Sequence, residues 1–283
     1  MNYRNKTIFD WNDFQSNNIS SITSLNIMNF LKRNINMDIK NIIIRDIENQ
    51  VGIIIQINNI INKEEGFYVF NLLDSLNYEL KFFGIQMKCG KIFIKNKNII
   101  IYKNDFLSFN VDYVDKKIIK LLPDSFYQSN ISVLNEYYDN FKLWIKKSGC
   151  KNMINIGDDG GNICIILSSL FEEMVSYFHC SSSYMCAEEM IKANKIKNLK
   201  LTYNLVDLNL DDVILFINPG RKGLTKNEMN YIKNSDIKYV IYMACNNNSF
   251  LKDLDELKFK ILDKNCILSM PGINKYQYLY FLS

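Results

Sequence analysis

The chain has 283 residues, 48% hydrophobic and 23% charged, with a net charge of +4 at pH 7. Those values exclude a disordered chain and give enough length for a substantial core, in one large domain or two smaller ones. Seven cysteines without a CxxC pair exclude a disulfide framework and a metal cluster, and no apolar run reaches the roughly 18–20 residues that span a bilayer.

A soluble cytoplasmic protein with no metal and no membrane partner is the expectation. The mild positive charge admits a nucleic-acid partner without requiring one. His179 is the only histidine, so neither a Ser-His-Asp nor a histidine metal site has a basis around it.

In chain order, the spacing of apolar residues predicts a helix over Ile22–Ile35, then a hairpin within Ile39–Ile57 turning at Asp46–Gln50. A helix over Phe70–Asn77 and strands at Phe82–Met87, Lys91–Lys95 and Ile99–Tyr102 follow. Residues 1–118 therefore read as an α+β domain. From 119 to 283 the pattern changes. Ser129 or Asn130 supplies an N-cap, and the helix over Val133–Lys147 sets Leu134, Tyr137, Phe141 and Ile145 on one face. Strands at Met153–Ile156, Val175–Phe178, Lys200–Tyr203, Val213–Ile217, Tyr239–Met243, Phe259–Leu262 and Tyr276–Leu282 alternate with helices at Ile163–Phe171, Met185–Asn194 and Lys226–Asn234. Such alternation predicts right-handed crossovers and a parallel, doubly wound sheet, with room for a late antiparallel strand.

Two apolar runs organise this second half. Val213–Ile217 and Tyr239–Met243 are rich in Val, Ile and Tyr, and each stops at a polar break, as buried parallel strands do. Chemistry in open α/β sheets sits just past the carboxyl ends of strands. That places Asn218-Pro219-Gly220-Arg221 and Cys245-Asn246 side by side at one rim. With NPGRKGL and ACNNNSFLKDL at this spacing, the chain resembles the S-adenosylmethionine-dependent RNA methyltransferases that make 5-methyluridine. Their motifs read Asp-Pro-Pro-Arg-x-Gly-Leu and Ser-Cys-Asn. Leu121–Asn130 (LLPDSFYQSN) resembles the family's entry to its transferase domain, and Tyr3-Arg4-Asn5-Lys6 its entry to the RNA-contacting region. Pro123, Pro219 and Pro271, the only prolines, all fall inside these motifs.

The resemblance implies an α/β protein: a Rossmann-like methyltransferase domain, with a mostly parallel doubly wound sheet, preceded by a smaller α+β domain. It also implies S-adenosylmethionine as cofactor and a tRNA or rRNA as partner. The cofactor turn corresponds to Asn155, Gly157, Gly160 and Gly161, with Asp158 and Asp159 between them. Phe178 occupies the position of the acid that holds the ribose, Asn218 that of the acid in Asp-Pro-Pro-Arg, and Gln128 is the glutamine aimed at cofactor or flipped base. Cys245 stands at the nucleophile position, where a thiolate adds to carbon 6 of uracil. Gln277 stands at the position of the general base that removes the carbon-5 proton, and Arg221 is retained beside them.

Four acids are thus replaced, at 155, 178, 218 and 277. An amide has no useful basicity near neutral pH, and phenylalanine accepts no hydrogen bond from a ribose. The first expectation is a catalytically degenerate member, a pseudoenzyme retained for RNA or protein binding, with S-adenosylmethionine held more weakly than millimolar. The alternative is a divergent but active RNA uracil-C5 methyltransferase in which Asp158, Asp159 or Asp207 has taken over lost contacts. A third reading is an assembly subunit with no ligand.

Overall fold

Runs of Ile and Val, too apolar to face water on both sides, assemble into separate sheets in two compact units. The computed structural model describes residues 6–10, 21–47, 49–87, 99–111, 116–122, 134–157, 161–270 and 275–283. The first unit is Met1–Phe109 with Leu121–Pro123 and Ser129–Ile131; the second is Asn110–Lys120, Asp124–Gln128 and Ser132–Ser283.

In the first unit β1 (Lys6–Asp10), β2 (Ile39–Ile47), β3 (Gln50–Ile57), β4 (Glu79–Met87) and β5 (Ile99–Asn104) form one sheet in chain order. The β2–β3 hairpin closes with Ile47 opposite Gln50. By contrast β3 and β4 run parallel, because α2 (Lys63–Asp74) carries the chain back between them. Helix α1 (Ile22–Asn34) begins at Ser21, whose hydroxyl accepts from the Ser24 amide at 2.9 Å, and buries Ile27, Met28 and Leu31. Those residues join Ile42, Ile44, Ile53, Ile55, Val69 and Phe83 in the core. Helix α2 starts seven residues earlier than its apolar spacing predicts. A reciprocal capping box between Asn62 and Glu65 fixes its first turn, and that signal outranks periodicity at a helix start. The predicted strand at Lys91–Lys95 lies outside the described residues. A separate two-stranded sheet pairs β6 (Leu107–Val111) with β7 (Lys117–Leu121).

The second unit contains a seven-stranded sheet. Its strands are β8 (Asn152–Gly157), β9 (Glu173–Tyr177), β10 (Leu199–Thr202), β11 (Val213–Asn218), β12 (Tyr239–Ala244), β13 (Ile261–Met270) and β14 (Lys275–Leu282). Their spatial order is β10-β9-β8-β11-β12-β14-β13. The first five are parallel, and β14 lies antiparallel to both β12 and β13. The chain winds outward from β8 to β10 in one direction and from β11 to β12 in the other. The reversal falls between β8 and β11, the place where doubly wound sheets open a crevice.

Side chains of the sheet alternate between two covered faces. On one, Ile154, Ile156, Leu215, Ile217, Val240 and Tyr242 pack with Ile232 of α6 (Lys226–Lys233) and Phe250 of α7 (Asn247–Leu257). On the other, α3 (Leu134–Ser148) sets Phe141 edge-on against Phe216 at 4.9 Å and stacks Trp144 on Phe281 at 5.8 Å. Helix α4 (Asn162–Leu167) is shorter than predicted and tightens into a 3₁₀ turn at Ser168–Leu170; α5 (Ser181–Asn194) starts four residues earlier than predicted. Of the predicted strand at Phe259–Leu262 only Ile261 and Leu262 are strand, the first two residues of a longer one. Lys258 ends α7 with a left-handed φ of 63°, and β13 then runs on to Met270 because β14 pairs along it.

Phe216 is 1% exposed and joins α3 to the sheet. Phe216→Ala removes that edge-to-face contact and leaves a cavity, so urea denaturation followed by circular dichroism should show a loss of about 3–5 kcal/mol. A loss under about 1 kcal/mol would mean α3 is held elsewhere.

Candidate functional site

The switch point between β8 and β11 depends on a glycine. The last rung of their ladder pairs Gly157 with Asn218, and a Cβ on Gly157 would lie 2.6 Å from the Asn218 carbonyl oxygen. Gly157 also has φ +155 and Gly161 φ +75, conformations that side chains rarely adopt. A Cβ on Gly161 would stand 2.9 Å from that of Ala187 and 3.4 Å from the Phe178 ring. Backbone here packs directly on backbone and on α5. Gly160, Asp158, Asp159 and Gln128 lie outside the described residues.

Around this turn the side chains face inward. Asn155 is fully buried, and its amide nitrogen donates to Ser176 Oγ at 2.9 Å, across from β8 to β9. Its Oδ1 is buried with no hydrogen-bond partner among the described residues. Phe178 follows β9 and is 1% exposed, its ring edge-on to Tyr184 at 5.7 Å. Tyr184 in turn stacks on Tyr203 at 4.5 Å. Asn218 is buried at the end of β11. Arg221 is exposed in the 3₁₀ turn that follows, and its carbonyl accepts from Asn246 Nδ2 at 3.4 Å. The two polar breaks after β11 and β12 are therefore joined by a hydrogen bond.

A second grouping forms where β14 runs beside β12. Ala244 pairs with Tyr278, so the next step along brings Cys245 to Gln277. Gln277 is 3% exposed; its Nε2 donates to Cys245 Sγ at 3.6 Å, and its Oε1 accepts from the Tyr137 hydroxyl at 2.7 Å. Burial pushes the Tyr137 phenol well above its ordinary value, with the neighbouring Cys245 adding to the effect. Below this grouping, Asp253 of α7 accepts from the Tyr242 hydroxyl at 2.5 Å and from the Leu224 amide at 2.9 Å. A Cβ on Gly223 would press on that carboxylate at 2.7 Å, so the Gly223-Leu224 turn after β11 is shaped to reach it.

The sequence reading missed two participants. Tyr137 was visible as one member of an apolar helix face; a buried tyrosine needs a partner for its hydroxyl, which was the available signal. In sequence, His179, the only histidine, has no triad or metal site around it, yet its Nε2 lies 2.9 Å from Glu228 Oε1. Glu228 is buried and also closes the capping box of α6 with Thr225. That box was legible as Thr-x-x-Glu. Burial alone would raise the Glu228 carboxyl, but hydrogen bonds from His179 and Thr225 outweigh it and hold it below its ordinary value. Among the described residues no group of three His, Cys, Asp or Glu side chains could hold a metal ion, and no helix is long and apolar enough to cross a membrane. An open cleft of about 980 Å³ lies at the opposite edge of the sheet, beside the starts of β11 and β12 at Val213 and Tyr239, away from Cys245.

The parallel sheet, its strand order and the crevice beside a glycine turn define the fold of S-adenosylmethionine-dependent methyltransferases. The Pyrococcus abyssi tRNA (uracil-54, C5)-methyltransferase, solved with S-adenosyl-L-homocysteine, shares it with a TM-score of 0.71 and 14% identity, over 99% of this chain and 76% of that one. In sequence, the chain is a divergent relative of the RNA uracil-C5 methyltransferases. It is 24% identical over 229 residues to an uncharacterized RNA methyltransferase of Fusobacterium nucleatum, covering 76% of this chain and 48% of the relative. It is 22% identical over 167 residues to the 23S rRNA (uracil(747)-C(5))-methyltransferase of Xenorhabdus nematophila, covering 56% and 44%. The chain thus spans about half the length of the curated relatives it matches. No family model matches it.

The described residues do not fit S-adenosylmethionine well. At the position that the resemblance gives to the ribose-binding acid there is a buried phenyl ring, and the Asn155 amide nitrogen is engaged with β9. The left-handed glycines of the turn and the unpartnered Asn155 Oδ1 are what the described residues leave there for a ligand.

The Glu228 carboxyl gives a pH test. Its folded value lies below the ordinary 4.5, so its stabilisation is present above pH 4.5 and is lost as pH falls through the folded value. Thermal melts from pH 7 downward should show wild type losing more stability across that window than Glu228→Gln. Parallel curves for the two proteins would mean that the His179 pairing contributes nothing.

Proposed function

We propose that the chain is an RNA-binding member of the RNA uracil-C5 methyltransferase family that no longer transfers a methyl group. The observation that carries this is the amide at 277. Gln277 uses both ends of its side chain, donating to Cys245 and accepting from Tyr137. The position that the resemblance assigns to the general base is occupied by a neutral donor. An amide cannot take the carbon-5 proton from a uracil adduct. Phe178 and Asn155 support the same reading on the cofactor side. RNA as the retained partner is supported by the relatives, whose names place them on tRNA and 23S rRNA, and a charge of +4 is compatible with it.

A second reading, a divergent active enzyme, is favoured by Cys245. The thiol stands at the rim of the sheet beside a hydrogen-bond donor, an arrangement that suits a nucleophile.

Calorimetry and methyl transfer separate the two. The expected outcome is S-adenosylmethionine binding weaker than millimolar, less than about 4 kcal/mol. No labelled methyl should enter tRNA or rRNA, and salt-sensitive RNA binding should persist in a gel shift. RNA carrying 5-fluorouracil should give no gel-stable covalent complex with wild type or with Gln277→Glu, with or without the cofactor. Micromolar cofactor binding, or an adduct that needs the cofactor and vanishes in Cys245→Ala, would establish the active reading instead.

A further inference from the structure

We propose that Tyr137 is a positioning residue for Cys245: by donating to Gln277 Oε1 it fixes the amide so that its N–H groups face the sulfur and keep the thiol reactive. The proposal rests on the reading of Cys245 as the nucleophile position, but not on whether methyl transfer survives.

The argument is one of donors and acceptors. A glutamine side chain has a carbonyl oxygen that only accepts and an NH₂ that only donates. Tyr137 Oη lies 2.7 Å from Oε1, so the phenol O–H must donate there. That orientation leaves Nε2 for Cys245 Sγ at 3.6 Å. Both Tyr137 and Gln277 are almost fully buried, at 1% and 3% exposure, so water does not compete for the amide. Burial holds the phenol in its protonated form across the range in which a thiol ionises, and the donor therefore stays a donor. A hydrogen bond into the carbonyl oxygen polarises the amide and strengthens the N–H bond it offers at the other end. Sulfur is a weak acceptor as a thiol and a strong one as a thiolate, so the amide favours the thiolate. The ionisable groups near this chain of contacts are Glu136 and Cys266, which act on Tyr137, and Tyr242, on which Cys245 acts. None of these three groups is positively charged.

Tyr137 of helix α3 lies 140 residues before Gln277 in the chain. The helix is anchored through Phe141 and Trp144 on the same face, so the phenol is presented from a rigid element.

The test is alkylation of the full chain by iodoacetamide, followed at Cys245 by peptide mass spectrometry from pH 6 to 10, with the other cysteines as internal controls. It uses neither cofactor nor RNA, so its outcome is independent of the methyl-transfer assay. Tyr137→Phe and Gln277→Leu should each slow Cys245 alkylation at pH 7 about tenfold by moving the pH midpoint upward. The limiting rate at high pH should stay equal or rise slightly, because a more basic thiolate is the better nucleophile. Gln277→Glu should slow it further at pH 7, since a carboxylate opposes the thiolate. An unchanged midpoint in Tyr137→Phe, or a fall in rate by the same factor at every pH, overturns the proposal and reduces Tyr137 to packing. Should Tyr137→Phe fail to fold, an unchanged midpoint in Gln277→Leu overturns it equally.

Discussion

The pairing of β8 with β11 is the constraint on which the second unit depends. Every other strand of the sheet is added outward from this pair, β9 and β10 on one side and β12, β14 and β13 on the other. The pair closes on Gly157, where any side chain would meet the Asn218 carbonyl. The two strands can stay in register to their last residue only because that position carries no Cβ. A switch point of this kind follows from chain topology, independently of any ligand.

The replaced acids share a physical pattern. At 155, 218 and 277, where the resemblance places carboxylates, the chain has their near-isosteric amides. Each is buried, and two of them make hydrogen bonds that a carboxylate could not: Asn155 donates to Ser176, and Gln277 donates to Cys245. Shape is kept while charge is removed. A buried carboxylate carries a large desolvation penalty unless paired, and a buried amide avoids it. Phe178 is likewise uncharged, its ring packed against Tyr184.

Most of the second unit was legible in the sequence because its strands are short continuous apolar runs between polar breaks. Val213–Asn218 is buried at every position, and such a strand has no other reading once helices flank it. Boundaries failed where local hydrogen bonding decided them, as in the Asn62–Glu65 box that starts α2 early and the left-handed Lys258 that delays β13. The rim of the site was legible from strand ends alone. The contacts that give it chemical character were not, since Tyr137 with Gln277 and His179 with Glu228 are separated by 140 and 49 residues. No periodicity encodes which two polar groups will meet across a sheet.

The position of β14 has a consequence for how the sheet is made. β14 lies between β12 and β13 and pairs with β12 from Val240 to Ala244. Until the β13–β14 hairpin docks, β12 is an open edge whose residues from Val240 onward are all destined for burial. An unpaired, apolar, β-branched edge is a template for pairing with another chain. A form of the sheet lacking β13 and β14 would expose that edge. Docking of the hairpin covers it and also brings Gln277 to Cys245.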